Sequence, residues 1–193
     1  MRLTASLPAL SLLLTALLTP TAAWAADDWG PKVGSAMPGN LKAISDAGTP
    51  VTLAQLAKQH NGLVVAFVRS ADWCPFCKRQ LIELAQREAQ FTERGLALVS
   101  VSYDSVDILR SFKMQFEIGF DLLSDPHSAI IDAFGIRNED QKPGTSGYGI
   151  PNPGIMVFDA NGTLVAKFAE KSYRKRPNID DVLAATDTVL QAQ

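Results

Sequence analysis

Six consecutive apolar residues, Leu63-Val-Val-Ala-Phe-Val68, follow the turn pair Asn61-Gly62, and few folds accommodate them. A run of that length, rich in β-branched side chains, predicts a strand covered on both faces. Such a strand needs a layer of helices on each side. After a short joint, Cys74-Pro-Phe-Cys77 opens a helical pattern in which Cys77, Leu81, Leu84 and Phe91 share one face. Lys78, Arg79, Glu83, Gln86, Arg87 and Gln90 supply its polar remainder. Gly95 ends the pattern, and Leu96-Ala-Leu-Val-Ser-Val101 is a second buried-strand run. Strand, helix and strand with short joints form a βαβ unit with a right-handed crossover.

The flanking segments complete a layered domain. Residues 27–40 read as an irregular lead-in, and Leu53 to Lys58 as a short helix with Thr52 as its cap. Ser105 to Gln115 predicts a helix, Phe120 to Leu123 a weak strand, and Pro126 to Phe134 a helix capped by Asp125. Residues 137–149 form a glycine-containing loop. Gly154 to Phe158 and Thr163 to Phe168 flank Asp159-Ala-Asn-Gly162, a hairpin signal, and an amphipathic helix closes the chain over Ile179 to Leu190. This order predicts a three-layer α/β domain with a mixed central sheet, the last hairpin supplying an antiparallel edge.

The first residues belong to a different class. Arg2, a short leucine-rich stretch over Leu7 to Leu18 and the ending Ala23-Trp24-Ala25 describe a cleaved secretory signal peptide. The expected organisation is therefore a leader over 1–25 and one domain over 26–193. An uncleaved anchor is the rival reading, although the apolar stretch is short for a bilayer about 30 Å thick. With no Arg pair before that stretch and no Cys near the cleavage site, general secretion into the bacterial periplasm is expected, without lipid attachment. No membrane span is expected after cleavage. A formal charge of −2 argues against a nucleic-acid partner.

An oxidising compartment sharpens the meaning of Cys74 and Cys77, the only cysteines. A helix start carries unpaired N–H groups and about half a positive charge, which stabilises a thiolate. Cys74, nearest those donors, is the candidate nucleophile. Cys77, one turn on, is the candidate resolving thiol. Pro75 suits the first helical turn. No metal and no external cofactor is expected, because two sulfurs carry the electrons. Three other uses of the pair remain. A structural clip would close so short a loop that it contributes only about 2 kcal/mol. A zinc site would have to recruit His60 and His127, which lack the usual spacing. Haem attachment needs His where Lys78 stands.

The stretch Phe67-Val-Arg-Ser-Ala-Asp-Trp-Cys-Pro-Phe-Cys-Lys78 resembles the active site of secreted thioredoxin-like oxidoreductases. It is also similar to the redoxin group of the alkyl hydroperoxide reductase / thiol-specific antioxidant family. Val33-Gly-Ser-Ala-Met-Pro38, Leu123-Ser-Asp-Pro126 and Pro153-Gly-Ile-Met-Val-Phe-Asp159 followed by Gly162 extend the likeness over residues 31–190. The resemblance implies a thioredoxin-like fold with a cis-proline facing the active site, carried onto Pro153 with Pro151 as competitor. Pro153 is thereby expected to hold an extended partner chain, while Trp73, beside Cys74, reads either as an apolar contact for partners or as plain packing. One departure matters: peroxiredoxins of this family place Thr or Ser three residues before the reactive Cys, and here Ala71 stands there. That favours thiol–disulfide exchange with protein or small-molecule disulfides, supplied by an upstream redox partner. The alternatives are a redoxin-type thiol peroxidase and a non-enzymatic binding module. The redox readings require both sulfurs at a helix start and within reach of a partner.

Other polar residues carry plainer expectations. Asp72 is read as a helix cap, Arg69 as a solvated or paired charge, and His60 and His127 as surface or cap residues. Tyr148 and its loop are candidates for a substrate lip. Lys171, Arg174, Lys175 and Arg176 read as a solvated basic face.

Overall fold

A computed structural model describes residues 28–191; the leader expected over 1–25 lies outside the described residues. The chain runs β1 (Lys42–Ser45), β2 (Pro50–Thr52), α1 (Leu53–Gln59), β3 (Gly62–Phe67), α2 (Pro75–Gln86), α3 (Glu88–Thr92), β4 (Ala97–Ser102), α4 (Val106–Phe116), β5 (Asp121–Ser124), α5 (Ala129–Ala133), β6 (Gly154–Asp159), β7 (Leu164–Ala169) and α6 (Ile179–Gln191). The strands form one mixed sheet in the order β2-β1-β5-β4-β3-β6-β7. β3 pairs parallel with β4 and antiparallel with β6, and β4 pairs parallel with β5.

Period-two alternation along the central strands divides the core into two layers. Val64, Ala66, Val68, Leu98, Leu122, Ile155 and Val157 face Leu81 and Leu84 of α2, Phe112 of α4 and Val182 of α6. Leu63, Val65, Phe67, Val99, Val101, Leu123, Met156 and Phe158 face Ala57 of α1 and Ile130 and Ile131 of α5. Every residue of β3 is buried, as the apolar run requires. Burying one large aliphatic or aromatic side chain is worth about 1.5–3 kcal/mol, so the strand is held by packing on both faces as well as by two ladders. This is the three-layer α/β architecture with a mixed sheet.

Local chemistry explains the departures from the sequence reading. The hairpin β1–β2 was not expected; its strands are short and the second opens on Pro50, yet Ile44 pairs with both Pro50 and Ser124 and ties the hairpin to β5. The helix expected through Phe91 is two helices, divided at Arg87, where φ −108° and ψ 3° leave helical geometry. α5 starts later than Pro126 because Ser128 adopts φ 56°. Asp125 still serves that helix end: its carboxylate accepts the N–H groups of Ala129, Ile130 and Ile131. Thr52 caps α1 in a reciprocal box with Gln55.

Gly154 begins β6 opposite Phe67, the last residue of β3. A Cβ there would lie 2.5 Å from the Trp29 ring and 2.6 Å from the Phe168 carbonyl oxygen. The carbonyl belongs to the paired strand and cannot give way. Gly154→Ala is therefore expected to lower unfolding free energy by about 1–3 kcal/mol in urea titration; unchanged stability would refute the close approach.

Candidate active site

The β3 ladder continues one residue past the strand, with the Val68 N–H donating to the Val101 carbonyl at 3.0 Å. The chain then turns across the end of β4, where Asp104 waits. Its buried carboxylate accepts from the Ser70 hydroxyl at 2.8 Å, the Ala71 N–H at 2.7 Å and the Ser102 hydroxyl at 2.8 Å. Ser70 Oγ in turn accepts the N–H groups of Asp72 at 2.9 Å and Trp73 at 3.3 Å. One carboxylate thus fixes the joint that delivers the cysteines. Burial pushes the Asp104 carboxyl above its ordinary range, while the three donors pull it back down. Asp72 does not cap the helix, contrary to expectation; its backbone is used here and its side chain is exposed.

The cap of α2 is Cys74 itself, with Pro75 in the first turn. Cys74 Sγ accepts the Cys77 N–H at 3.2 Å, a donor it shares with the Cys74 carbonyl at 3.1 Å, so this sulfur sits at the first turn of the helix. Cys74 and Cys77 are joined as a disulfide, Cα to Cα 5.2 Å. Both are buried, at 1 % and 0 % exposure. The expected reach to a partner is therefore absent in this conformation. The physical reason is a strap between β7 and α6. From it Arg176 Nη2 lies 3.3 Å from Cys77 Sγ and 3.9 Å from Cys74 Sγ. Arg176 Nη1 donates to the carbonyls of Tyr173 and Lys175. Its Nε is buried without a partner. Burial, with Arg69 and Arg79 close by, lowers the Arg176 pKa to about 10, so it stays a cation at neutral pH. The basic cluster is thus not wholly a solvated face: Lys171, Arg174 and Lys175 are exposed, but Arg176 turns inward.

Aromatic rings frame the sulfurs. The Arg69 guanidinium lies 4.9 Å from the Trp73 ring and 4.5 Å from the Tyr173 ring, and burial lowers its pKa. Arg69 is half-buried against these rings and forms no ion pair with a carboxylate, where a solvated or paired charge was expected. Tyr173 meets Phe76 edge-on at 6.2 Å. Trp73 is partly exposed, and its Nε1–H donates to Tyr103 Oη, which donates to the Ser146 carbonyl. The glycine-containing loop therefore reaches the site through Ser146, while Tyr148 stacks on Arg137.

Pro153 precedes β6 at the sheet end that carries Phe67, and lines an open cleft of about 350 Å³ with Trp29, Asn152, Asp140, Glu170 and Tyr173. The expected cis bond is not found: no peptide bond is cis among the described residues, Pro151 and Pro153 included. The loop instead runs extended beside residues 136–138, with Arg137 bridging Pro151 and the Asn152 N–H bonding the Ile136 carbonyl. His60 and His127 are exposed. Among the described residues no group of His, Cys, Asp and Glu is placed to hold a metal ion, and no helix is long and apolar enough to cross a membrane.

Comparison with known proteins gives this geometry a context. A family model described as the AhpC/TSA family matches residues 33–167. The 1-Cys peroxiredoxin B of Oryza sativa subsp. japonica is 28% identical over 139 residues, 68% of this chain and 62% of that protein. This chain thus spans about three-fifths of the length of such plant relatives. Among solved structures, peroxiredoxin Q of Xanthomonas campestris superposes with a TM-score of 0.68 at 25% identity, over 79% of this chain and 93% of that one. The peroxidoxin BcpB of Mycobacterium tuberculosis gives 0.66 at 21%, over 83% and 96%. The backbone likeness shows the thioredoxin-like fold.

Replacing Asp104 by Asn turns an amide N–H₂ toward one of three buried donors. Unfolding free energy should fall by about 1–3 kcal/mol. Because the folded-state pKa of Asp104 is raised, the folded protein holds more protons than the unfolded chain between the ordinary aspartate pKa and the raised one. Its contribution is fully present below the unfolded value and lost as pH rises through the folded one. The gap between wild type and variant should therefore widen as pH is lowered through that window. Urea titration across pH checks this; a gap independent of pH would refute it.

Proposed function

The chain belongs to the AhpC/TSA family, and from that premise we propose that it is a thiol peroxidase whose Cys74–Cys77 pair reduces hydroperoxides and is recharged by thiol–disulfide exchange. The observation that carries the reading is the bonded pair of sulfurs at the start of α2, one of them capping the helix and accepting the Cys77 N–H. In the reduced protein the Cys74 thiolate attacks the terminal peroxide oxygen. The O–O bond breaks, an alcohol or water leaves with one proton, and Cys74 becomes a sulfenic acid. The Cys77 thiol then attacks that sulfur. Water leaves and the disulfide forms. An external thiol donor returns two electrons and the cycle closes.

The sequence reading set general disulfide exchange first and peroxide reduction second. The peroxiredoxin relatives reverse that order, and exchange is kept as the recharging half of the cycle. The departure at Ala71 still bears on the chemistry. Ala71 is buried and its N–H is spent on Asp104, and the neighbouring Ser70 hydroxyl is spent there too. Neither offers a hydroxyl to a peroxide. The leader-like segment supports action in the bacterial periplasm, which sequencing of the mature N-terminus would test.

Pre-reduced protein mixed with hydrogen peroxide is expected to lose two free thiols in a single turnover, faster than a free cysteine does. Cys74→Ser is expected to lower peroxide consumption by roughly 10³-fold or more. Cys77→Ser should instead leave a sulfenic acid on Cys74, seen as a dimedone adduct by mass spectrometry. Oxidation of wild type at the pace of free cysteine would overturn the peroxidase reading. Insulin reduction by the same sample would then favour a general exchanger.

A further inference from the structure

The arginines of this chain fall into two groups. Arg87, Arg94, Arg110 and Arg137 each meet an aspartate: Asp180, Asp187, Asp107 and Asp132. Among the described residues, Arg69, Arg79, Arg174 and Arg176 meet no carboxylate. Their contacts are rings, backbone carbonyls and sulfur: Arg69 on Trp73 and Tyr173, Arg79 on Phe76, Arg174 on Tyr173, Arg176 on the disulfide. Arg176 touches the disulfide, Arg69 and Arg79 lie close enough to act on Arg176, and Arg174 lies outside them on Tyr173. Arg69 Nε and Arg176 Nε are, in addition, buried with no hydrogen-bond partner. Arg69, Arg79 and Arg176 thus have no ion-pair partner among the described residues, and beside the sulfurs Arg176 Nε lacks an acceptor.

We propose that the site recharges from an anionic small-molecule thiol, whose carboxylate binds Arg176 and its neighbours and draws the guanidinium off the sulfurs. The inference rests on the reading of the pair as redox-active. The occupant is small because the disulfide is 1 % and 0 % exposed, and moving one guanidinium admits a small thiol without unpacking the sheet. It is anionic because a carboxylate supplies the acceptor that Arg176 Nε lacks, in the bidentate geometry a guanidinium favours. It meets the oxidised state because Arg176 touches the disulfide itself.

The step balances. The donor thiolate attacks Cys74 Sγ; the Cys74–Cys77 bond breaks and its electron pair leaves on Cys77 as a thiolate. A second donor thiolate attacks the donor sulfur of the mixed disulfide. The donor disulfide departs, and Cys74 is left as a thiolate. Cys77, with Arg176 nearest it in the closed state, is the leaving group inside the cationic cluster.

The test reduces the oxidised full chain with 3-mercaptopropionate, 2-mercaptoethanol or cysteamine, compared at equal thiolate concentration because the thiolate is the attacking species. Alkylation and mass spectrometry read the loss of the disulfide. At low salt the anionic thiol should react at least about tenfold faster than the neutral one, and the cationic thiol slowest. The preference should vanish in about 1 M salt, where the screening length is about 3 Å. Arg176→Gln should reduce the ratio of anionic to neutral rates several-fold, and the exposed Arg174→Gln, which leaves the core untouched, should reduce it by less. Equal rates for the three thiols in wild type, or a preference untouched in either variant, would overturn the proposal. The assay uses no peroxide, so it can fail while peroxide reduction holds, or succeed where peroxide reduction fails.

Discussion

Everything in the site hangs from the way β3 ends. The strand is paired on both sides, with β4 parallel and β6 antiparallel, and buried on both faces. Its last residues therefore cannot shift without opening two ladders and two core layers. That rigidity is handed on through Val68 to the joint held by Asp104, and from there to Cys74 at the cap of α2. Burying a carboxylate is unfavourable unless donors meet it, and here three do. The result is a turn whose backbone donors and acceptors are spent on structure, leaving two sulfurs as its reactive part.

Much of this was legible in the sequence because it follows from local rules. The continuous apolar run Leu63–Val68 could only be an inner strand, Pro75 could only sit in a first helical turn, and Asp159 to Gly162 could only be a turn between paired strands. The pair Cys74 and Cys77 was visible for the same reason, as two sulfurs at a strand-to-helix joint. What local rules did not reach is what comes from far along the chain. Arg176 stands 102 residues from Cys74, and in sequence it was one cation among four. Only Pro177, buried beside it, marks the strap as docked. Asp104 could have been suspected, since an aspartate three residues past the buried run Leu96–Val101 lies at the end of the sheet where the neighbouring strand also stops. The cis bond carried onto Pro153 came from resemblance alone, and no peptide bond among the described residues is cis.

The cover over the sulfurs differs from a core. Leu81 and Leu84 bury Cys77 from within, and nothing short of unfolding removes them. Above the pair, by contrast, stands a strap with no regular structure, whose residues 170–175 are exposed. Its grip is polar and aromatic: a guanidinium on two sulfurs, Tyr173 against Phe76 and Arg69. An edge-on ring pair adds about 0.5–1.5 kcal/mol beyond its buried area, and an exposed cation–π contact about 0.5–1. Such a sum is small beside the stability of a domain, which is about 5–15 kcal/mol.

The same comparison explains why the arginine cluster is tolerated. Burial first, and the neighbouring Arg69 and Arg79 second, lower the Arg176 pKa to about 10. Neutral disulfide sulfur offers them little in return, so the oxidised, closed state is the less favourable partner for this charge. Reduction changes the balance, since it creates a thiolate under the cations. An anion from outside does the same while the disulfide is still intact. Both events place an anion beside Arg176, on a strap that has no regular structure.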